Sequence, residues 1–73
     1  MEREIIEAPL SGKILEVKVA VGSEVDEWEE VCVIEAMKME NPIISPVQGV
    51  VTEIKITAGQ VVKPGDTIAV IEY

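Results

Sequence analysis

Shifted by 37 residues, this chain lies on itself. "APLSGKILEVKVAVGSEVDEWEEVCVIE" (8–35) aligns without a gap on "SPVQGVVTEIKITAGQVVKPGDTIAVIE" (45–72). Nine of the 28 pairs are identical: Pro9/Pro46, Gly12/Gly49, Glu16/Glu53, Lys18/Lys55, Gly22/Gly59, Val25/Val62, Val33/Val70, Ile34/Ile71 and Glu35/Glu72. A Val-rich composition can match Val to Val by accident, but not Pro to Pro and Gly to Gly in register. Half a chain of this size cannot bury its own apolar face, so the two copies must share one core. With 73 residues in all, near the size where one core barely suffices, a single domain over 1–73 is expected, with repeat halves 1–36 and 38–73.

The repeat also decides between helix and strand. Val25, Trp28, Cys32, Ala36 and Met39 fall at helical spacing, and read alone residues 25–39 suit an amphipathic helix. The equivalent stretch, Val62 to Glu72, contains Pro64-Gly65, which breaks a helix and makes a turn. If the copies share a fold, neither stretch is a helix. The absence of Phe, with only Trp28 and Tyr73 as aromatics, leaves a core of Val and Ile, which favours strands. Strands are expected at 4–7, 13–18, 24–26 and 31–36, then 39–45, 50–55, 61–63 and 67–72, punctuated by Gly12, Gly22, Gly49, Gly59 and Gly65. The expected fold class is all-β: eight short strands in two halves about a pseudo-twofold axis suggest a small β-sandwich or flattened barrel.

The formal net charge is −8, and five of the seven residues from Glu24 to Glu30 are acidic. A phosphate backbone would be repelled, so nucleic acid is not an expected partner; the acidic run reads first as a solvated edge. With no His, the Ser/His and Cys/His nucleophilic pairs and the commonest metal ligand are missing, so neither catalytic nor metal residues are assigned. The lone Cys32 has no partner for an internal disulfide. Its repeat mate is Ala69, so it is expected to fill space. No apolar run approaches the ~20 residues of a membrane helix, and Met1 is followed by "EREIIEAP" rather than a signal sequence. A cytoplasmic setting is the expectation, without membrane insertion.

One stretch stands apart. "EAMKMENP" (35–42) sets Lys38, one of only six basic residues, between two methionines where strands four and five must join. No Asn-Gly or other usual hairpin dipeptide is present. Residues poorly suited to a tight turn, placed at one, point to selection for function. Glu35-Ala36-Met37-Lys38-Met39 at the centre of a gapless, Gly-punctuated repeat resembles the biotinyl (biotin carboxyl carrier) domains of biotin-dependent carboxylases, in the biotin/lipoyl attachment family. The resemblance covers essentially the whole chain.

The resemblance implies a barrel-sandwich hybrid, a flattened barrel of two four-stranded antiparallel sheets, with Lys38 at the tip of a hairpin and Glu35, Ala36, Met37 and Met39 as the recognition motif around it. It implies biotin joined covalently to Lys38 through an amide. Biotin protein ligase makes that bond by presenting biotinyl-adenylate to the amine, which must lose its proton. The arm then carries a carboxyl group from a biotin carboxylase subunit to a carboxyltransferase or decarboxylase subunit, while the domain itself is a non-catalytic carrier. Lipoyl domains share the fold, but their lysine is usually flanked by Asp and a small residue; the paired methionines favour biotin. The gapless repeat leaves no room for the "thumb" of bacterial acetyl-CoA carboxylase carriers. The chain is thus similar to the thumbless carriers of acyl-CoA or pyruvate carboxylases, transcarboxylases and decarboxylases. From outside the carriers, an unmodified acidic interaction module remains the alternative. A departure from the repeat lies at Glu27-Trp28, which stand where the second half has Pro64-Gly65. That loop is expected to take a different conformation from its mate, with Trp28 either capping the core or exposed for a partner, and capping is the preferred reading.

Overall fold

A computed structural model describes residues 1–73. The β-branched runs become eight strands: β1 (Arg3–Glu7), β2 (Gly12–Val17), β3 (Glu24–Val25), β4 (Glu30–Ala36), β5 (Met39–Ile44), β6 (Gly49–Ile54), β7 (Val61–Val62) and β8 (Thr67–Glu72). Each lies within a residue of its expected bounds at either end. They form two antiparallel four-stranded sheets, ordered β1-β8-β6-β3 and β5-β4-β2-β7. Adding four to each strand number converts one order into the other, so the pseudo-twofold exchanges the sheets.

The equivalence extends to the registers. Lys13↔Glu35 and Ile14↔Ile34 in one sheet are matched by Val50↔Glu72 and Val51↔Ile71 in the other. Even the irregularities are shared, with a bulge between Ile14 and Glu16 and another between Val51 and Glu53. Between the sheets lies one aliphatic core in which Ile14, Ile34, Val25 and Val31 meet their mates Val51, Ile71, Val62 and Ile68, all essentially buried. Cys32 is fully buried in this cluster, as its mate Ala69 is. The only buried polar side chain is Ser45, whose hydroxyl donates to the Val47 carbonyl at 2.6 Å. It therefore carries no unsatisfied group.

Two glycines let neighbouring strands within each sheet approach closely. A Cβ at Gly12 would strike the Glu35 carbonyl oxygen and the Ile34 side chain; one at Gly49 would strike the equivalent Glu72 oxygen and Ile71. Both positions require a residue without a side chain.

The structure corrects the expectation for Trp28. Its loop does not depart from its mate but repeats it. The Trp28 N–H donates to the Ser45 carbonyl at 2.7 Å, as the Gly65 N–H donates to Ala8 at 2.9 Å. The carboxylate of Glu29 accepts from the Asp26 N–H at 3.0 Å, as that of Asp66 accepts from Lys63 at 2.9 Å. Trp28 takes the left-handed backbone of Gly65, with φ of 75° against 92°. Nor does the indole cap the core, since Trp28 is 66% exposed. The hydrogen-bond frame of the turn fixes the backbone, and that backbone aims the side chain outward.

Candidate functional site

β4 and β5 form the most extensively paired hairpin, from Glu30↔Ile44 to Ala36↔Met39. Its link is Met37-Lys38, with φ of 54° and 64°. Positive φ at both central residues is the mark of a type I′ turn, whose twist suits a two-residue hairpin and which ordinarily selects Asn-Gly. A side chain in left-handed backbone costs roughly 1–2 kcal/mol per residue, so this tip is strained. It is held by the strand pairing beneath it and by Asn41. The Asn41 side-chain amide donates to the carbonyls of Ile34 at 3.3 Å and Met39 at 3.2 Å, bracing the hairpin below its turn.

All five residues of the sequence motif come together here. Glu35 and Ala36 end β4, Met39 begins β5, and Met37 and Lys38 form the tip. Lys38 is exposed, Met37 is 94% exposed and Met39 66%. Lys38 joins none of the chain's three ion pairs. Lys18 and Lys55, by contrast, are committed to Glu30 at 2.7 Å and Glu53 at 2.8 Å. The hydrogen bond that Lys18 donates to Glu30, then the Glu30 charge, raise the Lys18 amine above its ordinary pKa. Lys13 and Lys63 are unpaired too, but Lys13 lies within β2 and neither has left-handed backbone. Lys38 alone combines an unpaired amine with a strained, projecting turn.

The tip thus offers a primary amine flanked by apolar, flexible thioethers and no built-in base. Glu35 and Glu40 sit directly opposite one another across the hairpin, adding negative charge below the turn. Such an amine can form an amide with an activated acyl group once an external base removes its proton. Cys32 offers no second nucleophile. It is fully buried, and burial pushes its thiol up to about 11.

Sequence reasoning missed Asn41 as a brace. The available signal was the chain's lone asparagine, three residues after Lys38, where the repeat has Glu4. Pro42 was also passed over. It interrupts the ladder of donors on β5, an edge strand of its sheet, where proline is tolerated.

Residues 4–71 match the protein family described as "Biotin-requiring enzyme". Mitochondrial pyruvate carboxylase of Rattus norvegicus is 48% identical over 40 residues, which are 55% of this chain and 3% of that protein. The gamma subunit of methylmalonyl-CoA decarboxylase of Veillonella parvula is likewise 48% identical over 40 residues, 55% of this chain and 31% of that one. Among solved structures, the urea carboxylase of Kluyveromyces lactis superposes with a TM-score of 0.91 at 32% identity, covering 99% of this chain and 6% of that one. A single-chain, multi-domain long-chain acyl-CoA carboxylase superposes with a TM-score of 0.88 at 31% identity, covering 93% of this chain and 7% of that one. The chain therefore spans a small part of the proteins it resembles.

Proposed function

The chain belongs to the biotin-requiring enzyme family as its carrier domain, and on that premise we propose that Lys38 is the residue that takes biotin, within the motif Glu35, Ala36, Met37, Met39. The carrying observation is the two-residue turn, which projects an unpaired amine on left-handed backbone that neither Met nor Lys favours. The residues fit the group. Lys38 is exposed and uncommitted, and the tip has open solvent around it for a long substituent.

When bound, biotin supplies the ureido nitrogen that accepts and releases a carboxyl group. This chain's residues do the rest of the domain's work. Lys38 provides the nucleophilic nitrogen for attachment and, afterwards, a neutral amide at the root of the arm. The rigid β4–β5 hairpin fixes the direction in which that arm leaves. Met37 and Met39 give an adaptable apolar collar suited to successive partners: biotin protein ligase, a biotin carboxylase site, and a carboxyltransferase or decarboxylase site. No residue here performs the carboxylation, so the domain acts as a non-catalytic carrier of a larger, cytoplasmic assembly. The relatives' names suggest an acyl-CoA, pyruvate or urea carboxylase or a decarboxylase for that assembly.

The test is the intact mass of the chain after coexpression with a biotin ligase. The parent should gain one biotinyl group and Lys38→Arg none, with both melting alike. Biotin on the Lys38→Arg chain would refute the assignment, and a lipoyl mass on the parent would move it to the sister class.

A further inference from the structure

Trp28 occupies a position that needs no tryptophan. Its mate Gly65 makes the same turn with the same backbone hydrogen bond and no side chain. At a φ of 75° the indole burdens a backbone that glycine adopts freely, yet at 66% exposure it gains little from the core. Strain at an exposed aromatic calls for a benefit outside the chain.

The surroundings indicate what kind. Ser45, which accepts the Trp28 N–H, stands between Ile44 and Pro46, and both line a groove of about 360 Å³ between the edge strands β1 and β5. Ile5, Pro9 and Pro42 continue its apolar wall, with Glu4 and Glu7 also in its lining. Around Trp28 itself, Glu24, Asp26, Glu27, Glu29 and Glu30 are all exposed, and only Glu30 is neutralised by a lysine. An aromatic anchor inside a charged rim is the usual anatomy of an interaction hot spot. The sign of the rim selects a basic partner surface.

We propose that Trp28, with the adjoining mouth of the β1/β5 groove, is a docking surface for a catalytic subunit of the carboxylase assembly that presents an apolar pocket ringed by Lys and Arg. β4 separates this surface from the Lys38 turn by roughly 20 Å, at about 3.3 Å per residue. The partner grips one end of the hairpin and leaves the lysine end free. The partner's identity rests on the carrier reading, while the surface itself does not depend on which lysine is modified.

The experiment uses the full chain labelled with 5-fluorotryptophan at its single Trp, mixed with the purified biotin carboxylase and carboxyltransferase subunits of its own complex. The fluorine resonance should shift on adding one of them. Trp28→Gly should weaken that binding tenfold or more, Trp28→Tyr less, and added salt should weaken the parent complex. The Trp28→Gly chain should melt at or above the parent temperature. The proposal is overturned by an unmoved resonance with both subunits, by parent-like binding of Trp28→Gly, or by a fall of several degrees in its melting point. Intact mass of the same samples reads biotin on Lys38 independently. A chain that fails to take biotin there counts against the carrier reading alone. A biotinylated chain whose binding ignores Trp28 counts against the docking surface alone.

Discussion

At the end of β4 the chain turns through Met37 and Lys38 into β5. At the symmetry-equivalent place β8 meets β1 with no turn at all: Glu2 and Tyr73 simply exchange two backbone hydrogen bonds, of 2.8 and 2.9 Å. The residue pairs below the two sites run in the same register, Glu35↔Glu40 beside Glu72↔Arg3 and Cys32↔Ile43 beside Ala69↔Ile6. The same ladder therefore forms with and without a connection. What fixes it is the core beneath, and the strained Met-Lys turn is an addition that the architecture does not require. Trp28 and Gly65 teach the same lesson at another turn, where identical backbones carry opposite side chains.

The comparison can be broken most forcefully at the glycines. Gly12→Ala and Gly49→Ala each push a methyl into a backbone carbonyl that cannot swing aside. Each should lose about 1–3 kcal/mol, the scale of overpacking, in urea denaturation. Gly12 lies under Glu35 in the hairpin that carries Lys38, whereas Gly49 lies under Glu72. Gly12→Ala alone should also slow biotin incorporation. Slowed labelling in both, or a tolerated alanine at either, would end the equivalence drawn here.

A smaller effect of opposite sign is expected at the turn. Replacing Met37-Lys38 by Asn-Gly should stabilise the domain by about 1–2 kcal/mol, because both residues then suit left-handed backbone. That corresponds to a rise of roughly 4–8 °C in Tm per kcal/mol for a chain of this size, together with complete loss of labelling. A lower Tm would mean that the tip is not strained.

Cys32→Ala makes the core position match its mate. It should cost about 1 kcal/mol or less and leave labelling intact. Because the native thiol is buried and held at about 11, the parent should resist alkylation at neutral pH until it is unfolded. Rapid native alkylation would contradict the packing role.

The smallest effect separates the sheets by pH. The hydrogen bond from Lys55, then its charge, with Arg3 adding to them, hold the Glu53 carboxyl below its usual pKa. A depressed carboxyl stabilises the fold above its unfolded-state pKa, and that contribution fades as pH falls through the folded value. Lys18 is raised by Glu30, so its contribution is present below its unfolded-state pKa and fades as pH rises through the folded value. Glu53→Gln should slightly soften the acid limb of the stability profile and Glu30→Gln the alkaline limb. Both pairs are exposed, so the shifts should be near the limit of detection and vanish in high salt. A large change at either end would mean these pairs are better shielded than their exposure implies.

Much of this was legible in the chain. Gly and Pro in register over a 37-residue shift dictated two like halves, and Pro64-Gly65 ruled out the helix that the first half alone would suggest. Lys38 stood out because its neighbours were wrong for a turn. Trp28 was misread for a physical reason. Large aromatics usually earn their place by burial, and the sequence does not display that a turn's hydrogen-bond frame can hold a tryptophan in glycine's backbone. Asn41 was overlooked because a side-chain amide reaching two carbonyls leaves no periodic trace.

The pair formed by Glu2 and Tyr73 gives the domain a mechanical polarity. A pull applied between those two residues acts across the ladder of β1 and β8 and opens it one rung at a time. A drag on the lysine at the opposite strand pair meets covalent backbone in the turn, so the tip has no free end from which to peel. Load applied at Lys38 is spread along β4 and β5, while load between Glu2 and Tyr73 finds a seam. The molecule resists a pull at the Met37-Lys38 turn and yields first beside Glu2 and Tyr73.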